Sequence, residues 1–554
     1  MEDAVRSVGG IDVHRDGSNT TLLFIILGTV GRVWSGTPLV LPTVGEVWPR
    51  PQAVESQDTY MIIRPGTFSF NVTRNTCAIL DEALQRYKEI MFPSTALKRQ
   101  DPWKKDGNFK GYLDNLKVTL LTKCETHPHQ DMDEQYEIKI NTPDAPGEAS
   151  LIAQSVWGIV RGLESFSQLL VPNSAVYNVN STQIRDFPRF SYRGLMIDTS
   201  RHFLPISKIE DTLDLMAMNK FNVLHWHIVD DPSFPYISSV YPELSKQGAY
   251  SPGHVYRASD ISNVIEYGKM RGIRVLPEFD TPGHTQSWGS QPGLLTPCYK
   301  NGIPDGTFGP IDPTNDANYD FLRTFFEEVT SRFPDHYVHL GGDEVSFDCW
   351  KSNPTITHYM SQHNITGNYR KLEEIYITKL TQMISNLPTK NGYLVWQEVF
   401  DNGVNIADDT VVHIWKDGGT PLIFKHELGK VTSAGYSTVL SSCWYLNYIS
   451  YGVDWHKYYE CDPQDFDGTD EQKQLVLGGE ACMWGEYVDR TNLISRTWPR
   501  ASVVAEKLWS NKFHTVDSNA ASPRLEEHRC RLLGRGYDVE PLWPSFCAAD
   551  VAQL

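Results

Sequence analysis

The residues best suited to do chemistry are the adjacent acids Asp343 and Glu344, which follow His339-Leu-Gly-Gly at the end of a short apolar run. Neighbours in an extended strand point to opposite faces, so both carboxyls reach one pocket only if the chain leaves strand geometry, which Gly341-Gly342 permits. Two carboxyls held together are expected to split in pKa, because the second ionisation works against the first charge. One then stays protonated while the other is an anion. Glycoside hydrolysis needs that combination: a proton for the leaving oxygen and a negative charge beside the developing positive one. Other apolar runs also end in acids, at Asp198, Asp230-Asp231, Asp280, Glu398, Asp417 and Glu486. Some of these are expected to be simple helix N-caps, but so many acid-tipped runs point to one shared mouth. Aromatic residues mark the same ends, at Trp396, Trp415, Trp444-Tyr445 and Trp484, a set suited to stacking on sugar faces and on a small apolar substituent. A competing chemistry comes from His225-Trp-His227, with His284 and His339 further on, which has the H-x-H spacing of metal-dependent hydrolases. The pair sits several residues before the acidic end Asp230, so hydrogen-bonded histidines inside the fold are the expectation, with no metal and no other cofactor.

Positioning these residues requires an element pattern that brings many strand ends together. Apolar runs at 194–198, 222–230, 272–280, 337–344, 393–398, 411–417, 438–446 and 476–486 alternate with amphipathic helices, including 207–220, 320–333 and 368–387. Ile209, Leu213 and Met216 place a stripe on one face of the first, and Ser207 with Glu210 reads as a capping box. Eight such alternations predict a (β/α)8 TIM barrel over residues 190–554, including a C-terminal extension, with its site at the C-terminal strand ends. A doubly wound open sheet is the alternative, but no Gly-rich phosphate fingerprint follows any run. Residues 45–185 read as a smaller α/β domain with strands at 115–122 and 136–140 and helices at 77–91 and 149–170. The polar stretch 173–188 reads as the boundary loop.

The chain has 554 residues and a formal charge of −18, which argues against a nucleic-acid partner. Its 15 Trp and 26 Tyr exceed what packing alone usually demands and favour a carbohydrate-active protein. The longest apolar run, 22–30, is too short to span a bilayer but has the length of a secretory h-region, although acidic residues precede it. Residues 1–36 are therefore expected to be a leader containing a signal. Sequons at Asn71, Asn180 and Asn364 agree with that route. Eight of the nine cysteines fall into local pairs, Cys77 with Cys124, Cys298 with Cys349, Cys443 with Cys461 and Cys530 with Cys547, leaving Cys482 over. Local bridges fit an oxidising compartment, and no C-x-x-C spacing supports structural zinc.

Five motifs in order carry a resemblance: Arg193-Gly with Asp198-Thr-Ser-Arg201-His-Phe, His225-Trp-His-Ile-Val-Asp-Asp-Pro-Ser-Phe-Pro235, Glu278-Phe-Asp-Thr-Pro-Gly-His284, His339-Leu-Gly-Gly-Asp-Glu344 and Gly478-Gly-Glu-Ala-Cys-Met-Trp-Gly-Glu486. The chain resembles glycoside hydrolase family 20, and its lysosomal-type members most closely, from about residue 45 onward. The resemblance implies an exo-acting β-N-acetylhexosaminidase that removes terminal GlcNAc or GalNAc by a retaining, substrate-assisted mechanism, an exception to the two-carboxylate scheme. It implies Glu344 as acid and base, Asp343 as partner of the acetamido N–H, and Tyr445 as holder of the acetamido oxygen. Trp396, Trp415 and Trp484 would enclose the sugar, while Arg201, Asn447 and Glu486 would bind its hydroxyls. Asp230 and His284 would support the two acids. The resemblance also implies bridges Cys77–Cys124, Cys298–Cys349 and Cys530–Cys547, a homodimer, and a lysosomal or alternatively secreted destination. The chain departs from the family at three places. The pair Asn447-Tyr448 matches neither the Asn-Arg nor the Asp-Leu of the two mammalian subunit types, the loop 300–305 lacks the activator-contacting sequence, and a Cys443–Cys461 bridge has no recognised counterpart.

Overall fold

A computed structural model describes residues 40–93, 106–416, 421–450 and 452–547. The expected leader 1–36 and Asp417 lie outside the described residues. Residues 53–186 build an eight-stranded mixed sheet with helices Ala78–Met91 and Val156–Gln168 packed together beside it. Two expectations fail in this part. Residues Ala145–Ala153 form a strand, not the start of a helix, and the helix begins only at Val156, capped by Ser155. The strand's burial alternates along Ser150–Ala153 as one face meets the core, the period-2 signal that a run of small and apolar residues obscures. The presumed boundary loop contains the strand Val176–Asp186, which pairs with Ala53–Ile63 on one side and Tyr136–Thr142 on the other. Its polar residues sit where they can bond across the ladder or meet solvent, so polarity misled. Asn71, Asn180 and Asn364 are all exposed.

Eight parallel strands then close a barrel: β1 Tyr192–Asp198, β2 Val223–His227, β3 Arg274–Glu278, β4 Tyr337–His339, β5 Gly392–Trp396, β6 Val411–Ile414, β7 Ser437–Leu440 and β8 Val476–Met483. Being covered on both faces, the strands read as continuous apolar runs. Most end earlier than those runs, so the acids stand past the strand ends, except Asp198, which closes its strand; Glu398 lies in the short helix Gln397–Asp401. The helix after β1 spans Ile206–Met218 and buries Ile209, Leu213 and Met216. The expected capping box does not form, because the N-cap is Pro205, two residues before Ser207.

The barrel interior is layered. Tyr192, Val223, Leu276, Leu394, Val411 and Val439 fill the lower level. Met196, Trp396, Tyr445, Cys482 and Trp484, with Trp415, fill the upper one. Between them lies a fully buried ionic level. Glu278 meets His225 (3.0 Å), His227 (2.7 Å), His339 (3.2 Å) and the Trp396 indole N–H (2.8 Å). Glu480 meets His225 Nδ1 at 2.7 Å and the Tyr192 hydroxyl at 2.7 Å. Burial opposes a charge on every member, but the carboxylates overcome it at His225, raised to about 9, and at His227, raised to about 10. Burial wins at His413, lowered to about 3, and at His339. Two imidazoliums thus balance two carboxylates.

The sheet and the barrel meet through a second buried ionic group. Glu134 accepts from Arg161 Nε (2.8 Å) and from Arg193 Nη2 (2.6 Å) of β1, and all three side chains are buried. Lys220 reaches Asp186 at 2.9 Å. Helix Val156–Gln168 is buried along its whole length between the two parts.

Candidate active site

The carboxyl ends of the strands surround a cavity of about 190 Å3, below the range of drug-sized sites and suited to a single sugar ring. After β4 the chain leaves extended geometry through Gly341 (φ 67°) and Gly342 (φ 100°), and Glu344 itself lies at φ 50°. A Cβ on Gly341 would stand 1.8 Å from Asp280 Oδ1, so this turn requires glycine. The turn brings Asp343 and Glu344 to the same cavity. Asp343 is 8% exposed, and its Oδ1 has no hydrogen-bond partner among the described residues. The Glu344 side chain is 60% exposed, with Oε2 3.7 Å from His284 Nε2.

Asp280, after β3, is pushed well above the usual carboxyl range by burial and then by the charge of Asp343. Asp280 lies against Asp343, and its Oδ1 accepts the Gly342 N–H at 2.7 Å. Asp280 was visible as an acid at a run's end, but its partner lies 63 residues away and no local pattern joins the two. His284 (φ 53°) bridges Asp230 at 3.4 Å and Asp280 at 3.9 Å. Burial opposes its charge, but Asp230, Asp280 and Asp343 raise it to about 11. Asp230 also takes His227 Nε2 at 3.1 Å and Arg201 Nη2 at 2.9 Å. Its carboxyl is held far below the usual range: burial opposes ionisation, and His227, His284 and Arg201 outweigh it. The H-x-H histidines thus lie in the ionic level, with His227 at the floor of the cavity.

Trp415 donates its indole N–H to Glu398 Oε2 at 2.7 Å and stacks near Tyr445, with centroids 6.4 Å apart. Glu398 is raised to about 7 by burial and by Asp343. The Tyr445 phenol is raised well above its usual value, chiefly by burial, so it stays a donor. Trp484 lies at the wall with the Arg201 guanidinium 5.0 Å over its ring. Arg201 lies 3.7 Å from Glu486. Asn447 and Tyr448 also reach the cavity, Tyr448 with its ring 5.5 Å from Tyr445. Trp396 shares the upper level with Trp484, its ring 6.0 Å away, but it is fully buried and does not reach the cavity surface. All four cysteine pairs are bridged, Cys443–Cys461 included, and Cys482 is free and buried.

A barrel whose mouth gathers paired acids, an aromatic wall and an arginine among carboxylates has the makings of a glycoside hydrolase. Residues 190–512 match the family described as Glycosyl hydrolase family 20, catalytic domain, and residues 47–169 match the one described as beta-acetyl hexosaminidase like. The chain is 48% identical to the beta-hexosaminidase subunit alpha of Bos taurus, over 92% of this chain and 96% of that one. It is 47% identical to the beta-hexosaminidase subunit beta of Homo sapiens, over 90% of this chain and 89% of that one. Among solved structures, the chitobiase of Flavobacterium johnsoniae superposes with a TM-score of 0.76 at 30% identity, covering 88% of this chain and 73% of that one. The chain is a glycoside hydrolase. It belongs to glycosyl hydrolase family 20.

Proposed function

We propose that the enzyme is an exo-acting β-N-acetylhexosaminidase that releases terminal non-reducing GlcNAc or GalNAc with retention, the acetamido group of the substrate serving as nucleophile. The observation that carries the reading is the unlike environment of the two adjacent acids: Asp343 buried with an unpartnered Oδ1, Glu344 open to the mouth. A buried acceptor without a partner asks for a donor from the ligand, and an acetamido N–H is one. In the first step the acetamido oxygen attacks the anomeric carbon, the glycosidic bond breaks, and Glu344 gives its proton to the leaving oxygen. Asp343 takes the N–H hydrogen bond and offsets the positive charge of the oxazolinium, while Tyr445 O–H holds the attacking oxygen. In the second step water attacks the anomeric carbon, Glu344 takes its proton, and the acetamido group is restored. The imidazolium of His284 faces the Glu344 carboxylate formed in between. Arg201, Asn447 and Glu486 bind ring hydroxyls, and Trp415 and Trp484 wall the sugar, with Trp396 backing Trp484. The names of the relatives, hexosaminidases and a chitobiase, support this substrate class. The domain reading follows the same lines, with a leader to 36, an α/β domain over 45–185 and the catalytic barrel over 190–554. We further propose passage through the secretory pathway to the lysosome, with glycans at Asn71, Asn180 and Asn364, and assembly as a homodimer.

The test uses aryl β-GlcNAc substrates. Glu344→Gln should fold normally and lose most turnover, and Tyr445→Phe should lose about 10²-fold in kcat, as removal of an oxyanion donor does. Replacing the acetamido group by trifluoroacetamido should slow the wild type by orders of magnitude, because the carbonyl oxygen becomes a poor nucleophile. Equal rates on the two substrates would refute substrate assistance.

A further inference from the structure

We infer that Asp198 is the positioning residue of the sugar-binding wall, locking the exit loops of the first and last strands into one unit. The inference rests on the proposed roles of Arg201, Trp484 and Glu486 in binding the sugar. Asp198 closes β1, and its side chain is fully buried. Both oxygens are spent on backbone and arginine donors. Oδ1 accepts the backbone N–H of Ser200 at 2.9 Å and of Arg201 at 3.0 Å. Oδ2 accepts Arg201 Nη1 at 2.9 Å and the backbone N–H of Gly485 at 3.1 Å. One carboxylate therefore fixes the backbone and the guanidinium of Arg201, and also the residue between Trp484 and Glu486. β8 and β1 are neighbours in the barrel, so Asp198 sits on the seam where it closes.

The close approach is built in. A Cβ at Gly485 would lie 3.0 Å from Asp198 Cγ and Oδ2, so only glycine brings this loop onto the carboxylate unstrained. Arg201 has two other carboxylate neighbours, Asp230 and Glu486, and both line the cavity. These two are the acids a sugar hydroxyl can compete for. Asp198 has no route to the substrate. Its charge is thus committed to Arg201 in every state of the reaction, leaving Asp230 and Glu486 to exchange partners as a sugar enters.

Asp198→Asn separates this role from a merely structural one. An amide offers one acceptor oxygen and an NH2 group, so whichever way it turns, two of the four donors face another donor. The expected result with an aryl β-GlcNAc substrate is a KM raised at least 30-fold with kcat within about fivefold, the mark of lost uniform binding. In an Arg201→Ala background the same substitution should move KM clearly less than in the wild type, because one of the four donors, the guanidinium, is already gone. An unchanged KM in a folded Asp198→Asn enzyme, or effects of the two substitutions that multiply independently, would overturn the inference. Should Asp198→Asn fail to fold, Gly485→Ala decides: it keeps the charge and displaces only the loop, and a KM within twofold of wild type would also overturn it. Wild-type turnover of the same substrate is measured first, so failure of the substrate reading is told apart from failure of this one.

Discussion

Replacing Gly341 by alanine should disable the enzyme while leaving it folded, and the size of the effect follows from two separate costs. The first is conformational: at φ 67° an L-residue loses about 1 kcal/mol relative to glycine. The second is steric. The new Cβ would lie 1.8 Å from Asp280 Oδ1 and 2.6 Å from Asp280 Cα, whereas ordinary contact begins at 3.4 Å. Rotation of the carboxyl relieves the first contact but not the one with Cα, so one strand exit must shift by about 1 Å. Asp280 holds the Gly342 N–H and lies against Asp343, so the shift reaches the residue that faces the acetamido group. A misplacement of about 1 Å costs on the order of 10²-fold in rate, or about 3 kcal/mol of barrier. Gly367→Ala is the matched control, since its φ is 78° and nothing among the described residues stands within 4 Å of the added Cβ. It should show only the conformational cost, a melting temperature lower by about 2 °C and unchanged kcat. The assay pairs turnover of an aryl β-GlcNAc with thermal unfolding of both variants. If Gly341→Ala keeps more than a tenth of wild-type kcat, the coupling from turn to Asp280 to Asp343 is wrong.

Two further outcomes are expected. His225 and His227 titrate near 9 and 10 in the folded protein against about 6.5 unfolded. Their stabilising contribution is therefore complete below about pH 6.5 and is lost as pH rises toward 10. The guanidinium midpoint of the wild type should fall between pH 7 and pH 9.5, and His227→Gln should flatten that fall; identical pH slopes would show that the ionic level is not charged as described. The Cys443–Cys461 bridge closes an 18-residue segment carrying Tyr445 and Asn447, a constraint worth about 3 kcal/mol on an open chain. The double serine variant should lose about tenfold in kcat/KM and gain a proteolytic cut in that segment, and a kcat/KM within twofold of wild type would show that other contacts suffice.

How far the sequence carried these conclusions depended on distance along the chain. Each barrel strand was legible because burial on both faces writes a continuous apolar run. Most strand ends were overrun, because apolar residues such as Trp444 and Leu446 continue past the last ladder partner into the loop. The turn at Gly341-Gly342 could be anticipated, since two glycines before two acids state the geometry locally. The coupling of Asp343 to Asp280 could not, because only barrel closure brings the two exits together. The same holds for the four-donor role of Asp198, whose partner Gly485 is 287 residues away. The strand end at Trp396 suggests a wall residue, but its ring is fully buried behind Trp484, with its indole N–H turned inward to Glu278.

The buried Glu134–Arg161–Arg193 group has a consequence for how such chains change over time. Removing one partner of a buried ion set costs about 3–5 kcal/mol, because the remaining charge stays desolvated. A replacement sheet without the Glu134 carboxylate would leave Arg193 in that position at once. The sheet and the barrel are thereby constrained to change together, whereas loops at the cavity such as Asn447-Tyr448 lie at the opposite end of the strands and can vary without unpairing that group.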